Sequence, residues 1–200
     1  LLHALPCVAF ATDACLDESV HAATAPSHGQ IVVAALAHDG SRDIRVLPGD
    51  AASASPLDGH VGFRLASITK TYVAVAALRL HEDGRLDLQA PITRYLPKAW
   101  MQLLATDGYT PDDITVHHLL SMTAGHGTDS LAEAWEREPG DLVKGFLRVP
   151  FPEPEGNRFV YDNATTFLLA RMVERVSGRD LRELLDERLF RPMGIDHAEW

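Results

Sequence analysis

The stretch LASITKTYVA (Leu65–Ala74) decides how the sequence is interpreted, because it sets a serine and a lysine at the start of an apolar helical pattern. The pattern continues to Asp83, and Gly84 stands where a helix would end. We therefore predict a helix over residues 67–83. Its apolar face is expected to contain Ile68, Tyr72, Val75, Ala76 and Leu80.

Ser67 and Lys70 are three residues apart, so on a helix their side chains share a face. A serine hydroxyl is a poor nucleophile at neutral pH and needs a base within hydrogen-bond reach. A partly buried lysine beside other positive charge can lose its proton and act as that base. The helix N-terminus adds backbone N–H groups that favour an oxyanion. The structural alternative is that Ser67 is an N-cap and Lys70 a solvated first-turn residue, and Ser-x-x-Lys alone does not decide between them.

A second candidate group is Tyr161-Asp162-Asn163, which follows the turn-rich segment FPEPEG (Phe151–Gly156). Tyr161 and Asn163 are two residues apart in a predicted loop and can point into one cleft. A phenol can pass protons, and an amide can hold a substrate carbonyl. Tyrosine and asparagine are common in turns. Their occurrence downstream of Ser-x-x-Lys is what favours a catalytic interpretation.

Taken together, five segments resemble the serine penicillin-recognising enzymes, and among these the class C β-lactamase and D-alanyl-D-alanine carboxypeptidase branch. The resemblance covers roughly residues 17–200. The matching segments are FRLASITKT (Phe63–Thr71), GRLDLQAPITRYLP (Gly84–Pro97), ITVHHLLSMTAG (Ile114–Gly125), GNRFVYDN (Gly156–Asn163) and RPMGI (Arg191–Ile195).

The resemblance implies an α/β (α+β) fold of the β-lactamase/DD-peptidase type, with an antiparallel sheet flanked by helices and a mainly helical region. It implies that Ser67 is the acylated nucleophile and Lys70 its proton acceptor. It also implies that Tyr161 is the acid/base at the leaving group, and that Asn163 contacts the substrate amide and steadies Lys70. Class A β-lactamases fit less well because they have Ser-Asp-Asn where this chain has Tyr-Asp-Asn. The α/β-hydrolase elbow is excluded because its glycines are lacking.

The family's third motif, Lys-Thr-Gly or His-x-Gly on a later strand, is not found before Trp200. The last three strands of the family's sheet are likewise expected beyond this residue, and so absent from this chain. Gly125-His126-Gly127 precedes Tyr161 and is predicted to be a turn. We therefore expect the 200 residues to be part of a longer chain. Such a fragment could be inactive, because the oxyanion hole and the sheet would be incomplete.

The chain is predicted to comprise three regions. Residues 1–14, with the apolar run LLHALPCVAFA, resemble a signal-peptide remnant, and the alternatives are a buried strand or a disordered end. Residues 15–65 are the N-terminal part of the sheet region, with strands at Ile31–Ala37 and Ile44–Leu47. Residues 66–200 are a mainly helical region that carries both motifs.

Further helices are predicted from the apolar periodicity and the capping residues. A short one covers residues 16–25, and an interrupted one covers residues 129–149, broken at Pro139-Gly140 and at Gly145. The others are Thr115–Ser121, Thr165–Ser177 and Asp180–Phe190.

Charge and composition limit the partners. The net charge of -10 argues against nucleic acid and anionic membrane surfaces. No apolar run reaches the roughly 18 residues that a spanning helix needs. No metal or cofactor is expected, because His117 and His118 would point about 100° apart on a helix. His126, Asp129 and His38 lack a fixed ligand spacing.

These observations predict a serine hydrolase that acts on amide or ester carbonyls through an acyl-Ser67 intermediate. Its substrate would be a small molecule or a peptide: a D-Ala-D-Ala-type peptide, a β-lactam or a small ester. The alternative is a non-catalytic relative with a ligand-binding or regulatory role. The protein is expected to be periplasmic or secreted if residues 1–14 are a leader, and cytoplasmic otherwise. The sequence does not indicate the oligomeric state.

Overall fold

A computed structural model describes residues 31–36, 38–47, 62–103 and 113–198. The chain divides into two compact units, Leu1–Arg64 and Leu65–Trp200. The predicted helix over residues 16–25 and the predicted leader lie outside the described residues.

The first unit contains a β-hairpin of two antiparallel strands, β1 (Ile31–Leu36) and β2 (Arg42–Leu47). In their register Ile31 pairs with Leu47 and Leu36 pairs with Arg42. Gly40 has a φ of +84°, a conformation that glycine adopts without steric cost. Both predicted strands are therefore confirmed, although β2 begins earlier than the apolar run indicated.

Six α-helices lie within the described part of the second unit. They are α1 (Thr69–Glu82), α2 (Val116–Leu120), α3 (Leu131–Arg137), α4 (Leu142–Arg148), α5 (Asn163–Ser177) and α6 (Leu181–Leu185). Short 3₁₀ turns cover Ala66–Ile68, Ile92–Tyr95, Lys98–Leu103 and Arg191–Met193, and a π-helical turn, Asp186–Phe190, extends α6. Helix α1 packs against α5 and α6, and α4 packs against α3 and α5.

The core of this unit draws apolar side chains from all six helices, so it holds the helices that carry the candidate site. Its members include Leu80, Leu119, Ala134, Phe146, Leu168 and Leu185. None of the helices in the described ranges is long and apolar enough to cross a membrane.

Helix α1 confirms the predicted helix, with one change at its start. Residues Ala66–Ile68 form a 3₁₀ turn, and the α-helix begins at Thr69. Ala76 and Leu80 are buried as predicted, but Ile68 is 57% exposed because it belongs to the preceding turn. The helix ends before Gly84, whose φ is +71°.

Helix α5 begins two residues earlier than predicted, which changes the setting of Asn163. The carboxylate of Asp162 accepts a hydrogen bond from the backbone N–H of Ala164 at 2.9 Å and thereby caps the helix. Asn163 is therefore the first helical residue, and the prediction that placed it in a loop is wrong. The predicted end of α5 is confirmed at Gly178, whose φ is +67°.

The predicted break at Gly145 is also wrong, whereas the break at Pro139-Gly140 is confirmed. Gly145 lies inside α4, and a Cβ atom added to it would lie 1.9 Å from the carbonyl oxygen of Ala134 in α3. Glycine is needed here because the two helices approach closely, and not because the helix ends.

We expect Gly145→Ala to lower the free energy of unfolding by roughly 1–3 kcal/mol, since the added methyl group forces α3 and α4 apart. In an unstrained helix interior, the same change would stabilise the protein. Urea denaturation monitored by circular dichroism measures the effect. Gly62→Ala is the control, because nothing lies within 4 Å of its added Cβ. Equal midpoints for both variants would show that the close approach carries no energetic weight.

Candidate active site

Ser67 lies in the 3₁₀ turn that leads into α1, one turn before Lys70. Ala66, directly before it, has a φ of +45°, a conformation that is uncommon for residues other than glycine and costs energy. The N-cap residues of the turn and of α1 are Leu65 and Ile68, and neither makes a capping hydrogen bond through its side chain. Ser67 is therefore not an N-cap, so the structural alternative for this serine is not supported.

Two side chains donate hydrogen bonds to the hydroxyl oxygen of Ser67. Lys70 Nζ lies 3.1 Å from Ser67 Oγ, and the hydroxyl of Tyr161 lies 2.6 Å from the same atom. Lys70 Nζ is also 4.9 Å from the centre of the Tyr161 ring. The serine, the lysine and the tyrosine that the sequence singled out thus meet at a single oxygen atom.

Asn163 completes the group because its side-chain oxygen accepts a hydrogen bond from Lys70 Nζ at 2.7 Å. Its side-chain nitrogen donates to Asp129 Oδ2 at 2.6 Å, and its backbone N–H donates to Asp129 Oδ1 at 3.0 Å. The carboxylate of Asp129 accepts only, so it fixes the amide with its oxygen towards Lys70. All four predicted site residues therefore lie within one hydrogen-bonded network.

Asp129 was not identified as a site residue from the sequence. It stands just before α3, where its Oδ1 also accepts a hydrogen bond from the backbone N–H of Leu131 at 3.2 Å. An aspartate in this position is the ordinary signal of a helix start. Its second role depends on Asn163, which is distant in the chain, and no local pattern indicates such a contact.

Backbone pairing brings Tyr161 to the site. Residues 153–160 run beside residues 122–125, and Val160 N–H donates to the carbonyl of Met122 at 3.0 Å. A Cβ on Gly125 would lie 2.4 Å from the carbonyl oxygen of Glu153, so the two segments meet this closely only with glycine at that position. The segment Gly125-His126-Gly127, predicted to be a turn, contains bends at Gly125 and Gly127, and His126 between them is buried.

The hydrogen bonds with Ser67 and Lys70 hold the pKa of Tyr161 below the ordinary value of a tyrosine. Both groups favour the phenolate, because a hydrogen-bond donor stabilises the ionised form. Lowering the pKa of a phenol towards neutral pH increases the fraction of phenolate, which is the form that accepts a proton. Tyr161 is therefore suited to exchange protons at Ser67.

We expect Tyr161 to ionise at a lower pH than an ordinary tyrosine. Ser67→Ala should raise the midpoint of the Tyr161 titration, because the hydrogen bond with Ser67 is the largest cause of the lowered pKa. An NMR titration of ¹³Cζ-labelled tyrosine measures this, and Tyr161→Phe assigns its resonance among the four tyrosines of the chain. An unchanged midpoint in Ser67→Ala would contradict the hydrogen bond between the two hydroxyl groups.

A groove lies beside Lys70 and Asn163, between α1 and α5, with a volume of about 330 Å³. Most of its lining surface is apolar, with Val73 and Phe167 among the contributors, and the charged side chains of Arg171 and Glu174 also line it. In the described ranges, no group of three or more His, Cys, Asp or Glu side chains is arranged to hold a metal ion. The residues that the structure brings together are thus a hydroxyl, an amine, a phenol and an amide beside an apolar groove.

Known proteins that are similar in sequence to this chain include two esterases. Esterase EstB of Burkholderia gladioli is 33% identical over 161 residues, which are 73% of this chain and 40% of the esterase. The lovastatin esterase of Penicillium rubens is 30% identical over 156 residues, which are 68% of this chain and 39% of that enzyme. The chain therefore spans about two fifths of the length of these relatives.

A solved structure described as β-lactamase/D-alanine carboxypeptidase from Pseudomonas syringae superposes with a TM-score of 0.74 at 22% identity. The match covers 92% of this chain and 50% of that one. At this identity the similarity concerns the fold alone, and it confirms the predicted α/β fold of the β-lactamase/carboxypeptidase type. The family described as Beta-lactamase matches residues 17–200, and the chain belongs to this family.

Proposed function

We propose that this protein is a serine hydrolase that forms an acyl-enzyme on Ser67. The observation that carries the proposal is the pair of hydrogen bonds that Lys70 and Tyr161 make to Ser67 Oγ, at 3.1 and 2.6 Å. A nucleophile with a base in hydrogen-bond reach, and a third group that orients the base, is the general arrangement of covalent catalysis. Here Asn163 is the orienting group, through its 2.7 Å contact with Lys70.

In the proposed acylation, Ser67 Oγ attacks the carbonyl carbon of the substrate and its proton passes to the neutral amine of Lys70. The electrons of the carbonyl double bond move to the oxygen, which becomes an oxyanion. When the carbonyl reforms, the bond to the leaving group breaks, and the Tyr161 hydroxyl protonates that group. The products of this step are the acyl ester of Ser67 and the free alcohol or amine.

In the proposed deacylation, water attacks the carbonyl carbon of the Ser67 ester. The Tyr161 phenolate left by acylation accepts the proton of the water molecule, for which its lowered pKa suits it. The bond to Ser67 Oγ then breaks, and Lys70 returns the proton to the serine. The carboxylic acid leaves, and all groups regain their starting protonation.

We infer that esters of small molecules are the preferred substrates. Two relatives with at least 30% identity are both named as esterases. The apolar groove beside Lys70 also suits an uncharged acyl or alcohol group. β-Lactams and D-Ala-D-Ala-type peptides are the second candidates, supported by the Pseudomonas syringae structure, whose similarity lies in the fold.

Steady-state kinetics with p-nitrophenyl butyrate and a chromogenic cephalosporin distinguish these substrate classes. We expect kcat/KM for the ester to exceed that for the β-lactam by at least about tenfold, which corresponds to roughly 1.4 kcal/mol of transition-state stabilisation. The reverse preference would contradict the ester assignment. Tight binding of either compound without turnover would instead favour the non-catalytic, ligand-binding alternative.

A further inference from the structure

A buried polar cluster lies behind the active site. It consists of Asp162, His126 and Ser130, whose exposed fractions are 1%, 3% and 2%. His126 Nδ1 is 2.8 Å from Asp162 Oδ2, and Ser130 Oγ is 2.8 Å from the same oxygen. None of the three side chains takes part in the proposed proton transfers, and the sequence analysis assigned a catalytic or binding role to none of them.

The two oxygens of the Asp162 carboxylate have different partners. Oδ1 accepts hydrogen bonds from the backbone N–H of Ala164 at 2.9 Å and from the backbone N–H of Ser130 at 3.2 Å, and its contact with Ala164 caps α5. Ser130 Oγ also reaches Oδ1, at 3.0 Å. Oδ2 does not contact the helix, and its partners among the described residues are His126 and Ser130. The hydrogen bond from His126 is therefore not needed to start the helix.

The position of Asp162 in the chain connects this cluster to catalysis. The residue before it is Tyr161, which contacts Ser67 Oγ, and the residue after it is Asn163, which contacts Lys70 Nζ. A shift or rotation of the Asp162 backbone therefore moves the phenol and the amide together. A displacement of about 1 Å in such groups can cost on the order of 100-fold in rate.

The His126 ring is itself held in place. It stacks on Phe151 with 4.3 Å between ring centres, and it meets Phe146 edge to face at 4.8 Å. Its Nε2 is buried without a hydrogen-bond partner among the described residues. Since Nδ1 is the nitrogen that faces a carboxylate, Nδ1 carries the proton and donates to Asp162.

Asp162 is ionised in this arrangement. Burial by itself would raise the pKa of this carboxyl, but the hydrogen bonds from His126 and Ser130 outweigh burial and lower it. A buried carboxylate that loses such a donor must move towards another partner or take up a proton. Because Oδ1 is bonded to the backbone of Ser130 and Ala164, we expect a movement of the carboxylate to shift the backbone between Tyr161 and Asn163.

We propose that His126 is a positioning residue, which acts through Asp162 to hold the Tyr161 phenol and the Asn163 amide at Ser67 and Lys70. The inference rests on the proposed function. The short loop of residues 126–130 then serves the site twice. It supplies His126 and Ser130 to Asp162, and it supplies Asp129 to Asn163.

The test compares two replacements of the same ring. His126→Phe keeps a ring for stacking but removes the donor, whereas His126→Asn places an amide N–H near the position of Nδ1. His118→Phe is the matched control, because His118 is a partly buried histidine that bonds the backbone of Thr115 and has no contact with Asp162. The rate of modification by a fluorophosphonate measures the reactivity of Ser67. The NMR titration of Tyr161 reports whether the phenol is held at Ser67, and it does not require activity.

We expect His126→Phe to slow modification by roughly 10- to 100-fold. We also expect it to move the Tyr161 midpoint up towards the ordinary value for tyrosine. In His126→Asn and His118→Phe, the modification rate should stay within about threefold of the wild-type rate. The midpoint of the Tyr161 titration should stay close to the wild-type value. Ser130→Ala, which removes the other donor to Oδ2, should shift the midpoint in the same direction as His126→Phe and supports the proposal if His126→Phe does not fold.

The inference is overturned if folded His126→Phe keeps the wild-type rate and midpoint, or if His126→Asn and His118→Phe lose as much as His126→Phe. It is likewise overturned if Ser130→Ala leaves the midpoint unchanged when His126→Phe does not fold. A wild-type chain that forms no adduct would instead refute the proposed function. The Tyr161 titration would still decide whether His126 positions the phenol.

Discussion

Ser67→Ala is expected to reduce ester hydrolysis to the background rate, a loss on the order of 10⁴-fold or more. The reason is that the hydroxyl on which Lys70 and Tyr161 converge is the atom that forms the acyl bond. A serine without such partners is not expected to take over, because the two contacts hold a base and an acid at Ser67 Oγ. Steady-state hydrolysis of p-nitrophenyl butyrate measures the loss.

Ser177→Ala is the matched control for that experiment, since Ser177 bonds backbone atoms at the end of α5 and lies outside the site. It should retain the wild-type rate. Residual hydrolysis in Ser67→Ala at one tenth of the wild-type rate or more would mean that another group attacks the ester, and the acyl-Ser67 mechanism would be abandoned.

Lys70→Met is expected to slow acylation by about 10²–10⁴-fold, the usual contribution of a positioned base. Methionine has a similar length and no proton-accepting nitrogen, so the Ser67 hydroxyl keeps its proton. The contact between Lys70 and Asn163 is lost as well, which frees the amide. The pre-steady-state burst of p-nitrophenol measures the acylation step directly.

Lys70→Arg separates the base role from a purely electrostatic one. Arginine keeps the positive charge and the hydrogen-bond donors, but it does not give up its proton in proteins. The account predicts that Lys70→Arg is nearly as slow as Lys70→Met. Recovery of most of the wild-type burst rate in Lys70→Arg would show that charge alone is required. Lys144→Met, which removes a surface ion pair with Asp141, should leave the burst unchanged.

Much of the site was predictable because its residues occur as two pairs that are close together in the sequence. Ser67 and Lys70 are one helical turn apart, and Tyr161 and Asn163 flank a single residue, so both pairs are visible without knowledge of the fold. What the sequence could not give is the contact between the pairs. The 2.6 Å contact between Tyr161 and Ser67 depends on how α1 and α5 pack.

The residues that were missed are those whose role depends on a distant partner. His126 and Asp129 bind Asp162 and Asn163, which lie more than thirty residues further along the chain. A helix break is predicted at Gly145 because glycine disfavours helices, but its close contact with Ala134 shows that packing overrides propensity here. The three predicted regions, with boundaries after residues 14 and 65, remain predictions.

Intact-mass spectrometry after incubation with a fluorophosphonate tests whether Ser67 is the nucleophile. We expect one adduct per chain on the wild type, located in the peptide that contains Ser67, and no adduct on Ser67→Ala. We also expect Tyr161→Phe to be modified more slowly than the wild type, since the hydroxyl next to Ser67 Oγ is lost. A folded wild-type chain that forms no adduct, or an adduct that persists in Ser67→Ala, would contradict the account.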